Sequence, residues 1–177
     1  MRLKSFVTLG ICVLTVGTGA QTNTPTPKIS SEPLTAEQIE IYRAVVNDYI
    51  KETRNAALNV SNKTSPLDLT GPLFEKGCMQ GIDLEKTANS VRVIHSLSSS
   101  AALSPKAVIV DPRRHVKQAY SNGLFSLSEI IFDKQHLHAF VSYSFACGVR
   151  CGNGRILILE KVGDTWKVSK TCGGWVS

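Results

Sequence analysis

The chain lacks the short motifs that usually announce a chemistry. It has no Gly-x-Ser-x-Gly elbow, which removes the commonest support for a serine hydrolase. It has no Walker or dinucleotide-binding glycine pattern, so nothing predicts a phosphate held at a strand-to-helix turn. Cys-x-x-Cys is also missing, and the nearest spacing, Cys147-x-x-x-Cys151, is one residue too long for a thioredoxin-like redox pair. After position 20 no apolar run approaches the roughly 20 residues that cross a bilayer core as a helix. Concentrated positive charge is scarce as well. The one dense group, Arg113-Arg114-His115-Val116-Lys117, follows Pro112 without interleaved aromatics, so it predicts a solvated loop and no nucleic-acid partner.

What is present begins at the front. Arg2 and Lys4 precede an apolar run from Phe6 to Val16, and the small residues Gly17-Thr18-Gly19-Ala20 follow it. That order predicts a signal peptide over residues 1–20, removed to leave Gln21 as the new N-terminus. Ile11 before Cys12 does not suit lipoprotein processing, which requires a small residue there. Residues 21–34 are polar and proline-rich and predict a disordered linker, because their apolar surface is too small to offset the entropy of ordering them. Residues 35–177 then suit a single domain burying about 70% of its unfolded surface. Without Arg2 and Lys4 the 20 basic residues fall to 18 against 14 acidic, a mild net charge of +4. The expected location is periplasmic or extracellular, with no membrane span after cleavage.

Cys78, Cys147, Cys151 and Cys172 remain after cleavage, an even number suited to an oxidising compartment. Four cysteines allow three pairings, and the sequence does not choose among them. Proximity leans toward Cys147 with Cys151 across a turn, leaving Cys78 with Cys172. Loop-closure entropy assigns about 2 kcal/mol to the short loop and about 4–5 kcal/mol to the long one. Zinc is the competing use of such residues, but export disfavours free thiolates and the spacing is looser than a zinc knuckle, so neither metal nor cofactor is expected.

Thr35-Ala36-Glu37-Gln38 has the form of a capping box. Behind it Ile39, Tyr42, Val46, Tyr49 and Ile50 recur at helical spacing and predict a helix over about 36–52. Asp83 is placed to cap a second helix over roughly 84–97, with Leu84, Ala88, Val91 and Ile94 on one side. Residues 56–60, Ala107–Val110 and Leu127–Phe132 are strand candidates. His136–Ala146 alternates most clearly: Leu137, Ala139, Val141, Tyr143 and Phe145 point one way, and His136, His138, Ser142 and Ser144 the other, predicting one buried and one wet face. A turn over Gly148–Gly154 leads to a strand over 155–162, and Gly163-Asp164 reverses it into Thr165–Ser169. The expected fold class is α+β, with N-terminal helices packed on a C-terminal antiparallel meander.

Three residues are candidates for binding. His136 and His138, two apart on a strand, project to one side and would both reach a metal or substrate if Asp133 or Glu129 completed the set. Exposed histidines on a wet sheet face have the same pattern. Arg150, among the glycines and amides of Cys147–Gly154, suits a carboxylate or phosphate, although a stapled turn explains the same glycines. Asn59-Val-Ser61 and Asn62-Lys-Thr64 match the glycosylation sequon.

Phe132-Asp133, Ala139 to Ser144, the double Cys-Gly turn of Cys147 to Gly154, Leu159 to Lys161, Trp166 to Val168 and Trp175 to Ser177 together resemble a pattern recurrent in uncharacterised exported bacterial proteins. The helix-then-meander order also resembles NTF2-like domains, an analogy of fold that implies no activity. The reading that follows is a non-enzymatic binding module whose partner is an unknown ligand or envelope protein. The alternative is a small metal-dependent or hydrolytic enzyme using His136 and His138.

Overall fold

The computed structural model describes residues 28–30, 33–54, 57–85, 93–98, 103–114, 123–148 and 150–177. The expected signal peptide therefore lies outside the described residues, as do positions 115–117 of the basic loop.

Helix α1, Ala36–Thr53, begins as its cap dictates. The Thr35 hydroxyl accepts from the Gln38 amide at 3.2 Å, and the Gln38 side chain accepts from the Thr35 amide at 2.9 Å. It ends at Arg54, which adopts a left-handed conformation with φ of 57°. Ile41, Tyr42, Val45, Val46, Tyr49 and Ile50 form its buried stripe.

The strands are β1 (Lys28–Ser30), β2 (Leu58–Ser61), β3 (Val93–His95), β4 (Ala107–Val110), β5 (Leu124–Leu127), β6 (Ile131–Phe132), β7 (His138–Gly148), β8 (Cys151–Val162) and β9 (Thr165–Val176). The main sheet runs β4-β2-β5-β7-β8-β9, with β6 pairing beside β5 along β7. β2 pairs in parallel with both β4 and β5, while β5, β7, β8 and β9 are successively antiparallel.

This overturns the expected α+β class with several N-terminal helices over an antiparallel meander. Among the described residues the molecule is mostly β, with one α-helix on the main mixed sheet. The second helix fails where it is described: Leu84 bridges Asp133, and Val93–His95 forms β3, paired in parallel with β1 inside the expected linker. Residues 86–92 of that segment lie outside the described residues. Val93 and Ile94 are β-branched and suit a pleated strand better than a helix. The parallel pairs leave no sequence signal, because short connections reveal only antiparallel neighbours, and β2, β4 and β5 are distant in sequence.

Both sheet faces are covered. On one, α1 packs Tyr42, Val45, Val46 and Tyr49 over Val60, Phe125, Ala139, Val141, Leu157 and Leu159. The Tyr42 hydroxyl donates to the Ser128 carbonyl at 2.9 Å inside this core. On the other, Leu67, Phe74 and Cys78 cover Phe140, Ile156 and Ile158, and the Cys78–Cys172 disulfide fastens that cover to β9. The expected wet face is thus apolar at Phe140, which is wholly buried. The buried Glu129 carboxylate accepts from the Leu67 and Val93 amides, both at 3.1 Å, and so holds the cover and β3 in place.

Candidate functional site

The β5-β7-β8-β9 register sets four residues in one row across the sheet: Ser126 opposite Ser144, Ser144 opposite Gly154, Gly154 opposite Trp175. Directly opposed residues share a face, so two hydroxyls, an empty position and an indole follow one another. The empty position is what lets the indole lie down. A Cβ at Gly154 would collide with the Trp175 Nε1, and one at Gly152 would come within 3.0 Å of the same ring.

Farther along this face the 67–84 segment closes over Phe140, Ile156 and Ile158. At the serine row it stands clear, leaving a cleft of about 290 Å³ lined by Ser126, Ser142, Ser144 and Gly154, by Ser65 and Asp68, and by Trp175. A second cleft of about 520 Å³ adjoins it, lined by Tyr49, Glu52, Asn153 and Thr171. Tyr143, Gly154, Arg155, Gly174 and Trp175 border both. The lip at Gly173 depends on glycine: φ is +117°, and a Cβ would collide with the Leu73 carbonyl oxygen.

Helix α1 sets the charges of the second cleft. Lys161 bonds Glu37 at 2.9 Å and the Trp166 amide donates to Glu40 at 3.1 Å, anchoring the first turns of α1 to the β8-β9 hairpin. Its last turns then present Glu52 to Arg155, whose Nη1 and Nη2 donate at 2.7 and 2.6 Å. This fork is bidentate and occupies the guanidinium. Burial pushes the Tyr143 hydroxyl up to about 12, against the lowering influence of Arg155. Burial likewise raises Tyr49, which shares a side-chain hydrogen bond with Asn153. Both phenols stay protonated and neutral at ordinary pH.

The sequence candidates lie elsewhere. His138 opens β7, and its Nδ1 meets the buried Asp133 carboxylate at 2.8 Å. Burial alone would raise Asp133, but bonds from the His138 amide and ring and the Leu137 amide outweigh it and hold the carboxyl below its ordinary value. His136 is not on the strand. It adopts φ of 54° in the preceding turn, stacks on Phe132 at 4.7 Å between ring centres, and has its Nε2 3.9 Å from Glu85. Phe132 packs on the helix-side core, whereas the next residue, Asp133, bridges Leu84 beneath the opposite cover. Of Asp133 and Glu129, the first reaches a histidine and the second serves backbone amides instead. Among the described residues, no group of three or more His, Cys, Asp and Glu is arranged to hold a metal ion.

Arg150 is exposed at the β7-β8 hairpin end, beside the Cys147–Cys151 disulfide. Gly152 and Gly154 belong to β8 and not to a loop, so the expected glycine-rich turn is shorter than Gly148–Gly154. The disulfides join Cys147 to Cys151 and Cys78 to Cys172, with Cα separations of 5.1 and 5.6 Å. Asn59 of the first sequon is buried in β2. Among the described residues no helix is long and apolar enough to cross a membrane.

Alternation along β7 assigns Ser142 and Ser144 to the face opposite Tyr143 but does not reveal the cleft. Gly152 and Gly154, alternate along β8, carry the available signal: small residues at every second position of a strand mark close approach by something large. No family model, curated protein or solved structure matches this chain.

Proposed function

We propose that this protein is an exported binding module, periplasmic or extracellular, whose ligand occupies the cleft beside Trp175. The row Ser126, Ser144, Gly154, Trp175 carries the proposal: a concave lining with a few polar groups and one aromatic platform suits a small organic ligand. Two disulfides fit an oxidising compartment, and the basic, apolar and small segments of residues 1–20 fit export. The partner is a soluble ligand or an envelope component. Screening a fragment library while following the Trp175 indole resonance tests the reading; perturbation of that resonance by fragments that leave Trp166 unchanged is expected. A library that leaves Trp175 untouched refutes the cleft as a ligand site.

The Asp133–His138 pair supports a second proposal, a small hydrolase in which a buried carboxylate orients the imidazole as general base. Turnover of an ester, amide or phosphoester panel, lost in His138→Ala and retained in His136→Ala, would support it. Equal rates in the parent and in His138→Ala would remove it.

A further inference from the structure

The two clefts share one indole, and their linings are rich in hydroxyls and poor in available charge. Resting on the reading of the Trp175 cleft as a ligand site, we infer that its ligand class is a neutral oligosaccharide, bound with one sugar ring against the indole and further units along the row of Ser144 and Ser126.

Three observations carry this. The first is the platform. Trp175 is partly exposed and lies over Gly152 and Gly154, which spreads its ring along the sheet instead of tucking it into a core. The face of an aromatic ring is electron-rich, and the axial C–H bonds of a pyranose present a positively polarised, apolar face of similar size to it.

The second is the hydroxyl set. Ser65, Ser126, Ser142 and Ser144 line the first cleft, and Thr171 lines the second, where the Asn153 carboxamide is bonded to Tyr49. Hydroxyls donate and accept alike, as sugar hydroxyls do, so each can adjust to the other.

The third is charge. Arg155 borders both clefts, but Glu52 already engages it with two bonds of 2.7 and 2.6 Å. Asp68 accepts from the Thr70 amide, the Thr70 hydroxyl and the Gly71 amide at 2.8, 2.9 and 3.0 Å. With Glu75 also in the lining, carboxylates outnumber the single guanidinium. A carboxylate or phosphate ligand would lose its hydration without gaining a free cation, whereas a neutral polyol exchanges water for hydroxyls at little cost. The first cleft, about 290 Å³, runs from Trp175 past Ser144 to Ser126 on one face of the sheet, so the footprint extends beyond the indole; the second, about 520 Å³, meets it at Trp175 but is lined by Tyr49, Glu52 and Arg155 of the α1 side.

The test titrates the purified protein with cellotetraose, N-acetylchitotetraose, maltotetraose, tetragalacturonate and spermidine, following tryptophan emission and calorimetric heat. Of the two tryptophans Trp166 is only 4% exposed, so emission changes report Trp175. At least one neutral tetrasaccharide should bind, roughly tenfold or more weaker in Trp175→Ala and close to parent strength in Trp175→Phe. Circular dichroism and thermal midpoints confirm that the variants fold, and Ser144→Ala supplies a second, milder loss should Trp175→Ala not fold. Preference for tetragalacturonate or spermidine overturns the inference, as does saccharide binding indifferent to both Trp175 and Ser144. If library fragments perturb the Trp175 resonance while no saccharide binds, the cleft stands and the saccharide class falls. If neither does, both fall.

Discussion

The Trp175 indole occupies the space that any side chain at position 154 would need. Gly154 and Trp175 are register partners on β8 and β9, so the sheet itself brings the platform and its vacancy together. This pairing makes the cleft unusually sensitive to a single methyl group. In Gly154→Ala the Cβ meets both the indole and, at 2.9 Å, the Tyr143 carbonyl oxygen. The variant is expected to lose about 1–3 kcal/mol by denaturant titration and to shift the Trp175 emission, because the ring must lift into solvent. Unchanged emission and stability would show that the indole does not rest on Gly154.

The two disulfides should differ in worth. Replacing Cys78 and Cys172 by alanine opens a loop spanning 94 residues and frees the cover over Phe140, Ile156 and Ile158. A loss of about 4–5 kcal/mol is expected, against about 2 kcal/mol for Cys147 and Cys151, whose loop spans 4. Urea unfolding of both double variants measures the order, and equal losses would contradict it.

Asp133 links acid stability to the start of β7. Its carboxyl titrates below the ordinary value in the folded protein, so its contribution is complete above about pH 4 and fades as pH falls through the folded value. Asp133→Ala leaves the Leu137 amide, the His138 amide and the His138 ring without their acceptor. A loss of about 1–3 kcal/mol at neutral pH is expected, with a flatter fall of stability in acid. Denaturant melts at a series of pH values, compared with the parent, measure both.

Glu52 governs what Arg155 offers to a ligand. The pair is 39% and 46% exposed, so Glu52→Gln is expected to change stability by less than about 1 kcal/mol. It should nevertheless release a guanidinium into the second cleft and raise the affinity for tetragalacturonate severalfold, with the gain falling as salt rises. Calorimetry at two ionic strengths checks it; no gain would mean that Arg155 does not face the ligand.

The capping box is a local device and should behave as one. Thr35→Ala removes the acceptor for the Gln38 amide and is expected to cost about 1 kcal/mol, measured as a lowered urea midpoint without a changed slope.

Helix α1 is legible in the amino-acid order, since Thr35, Gln38, Tyr42, Val46 and Tyr49 act within a few turns of one another. So is β4 at Ala107–Val110, and so is the reversal at Gly163, where φ is +61°. The cysteine spacing leans toward the pairing found, because a loop of three residues restricts where Cys147 can find a partner. The segment over 84–97 misleads because Leu84, Val91 and Ile94 satisfy a helical period by number, while Val93–His95 pairs as a strand with residues 28–30. His136 misleads at the start of β7, where the alternation continues in sequence but the backbone is still in the turn.

From the chain alone come the elements whose causes are local: a cap, an apolar stripe, a tight reversal, a close pair of cysteines. Long-range pairing decides the remainder. The parallel placement of β2 between β4 and β5, the cover over Phe140 and the row from Ser126 to Trp175 join residues far apart in sequence, and their stability comes from surfaces that exist only after the strands have met. The cleft belongs to that second class, because no one strand contains both the indole and the vacancy that receives it.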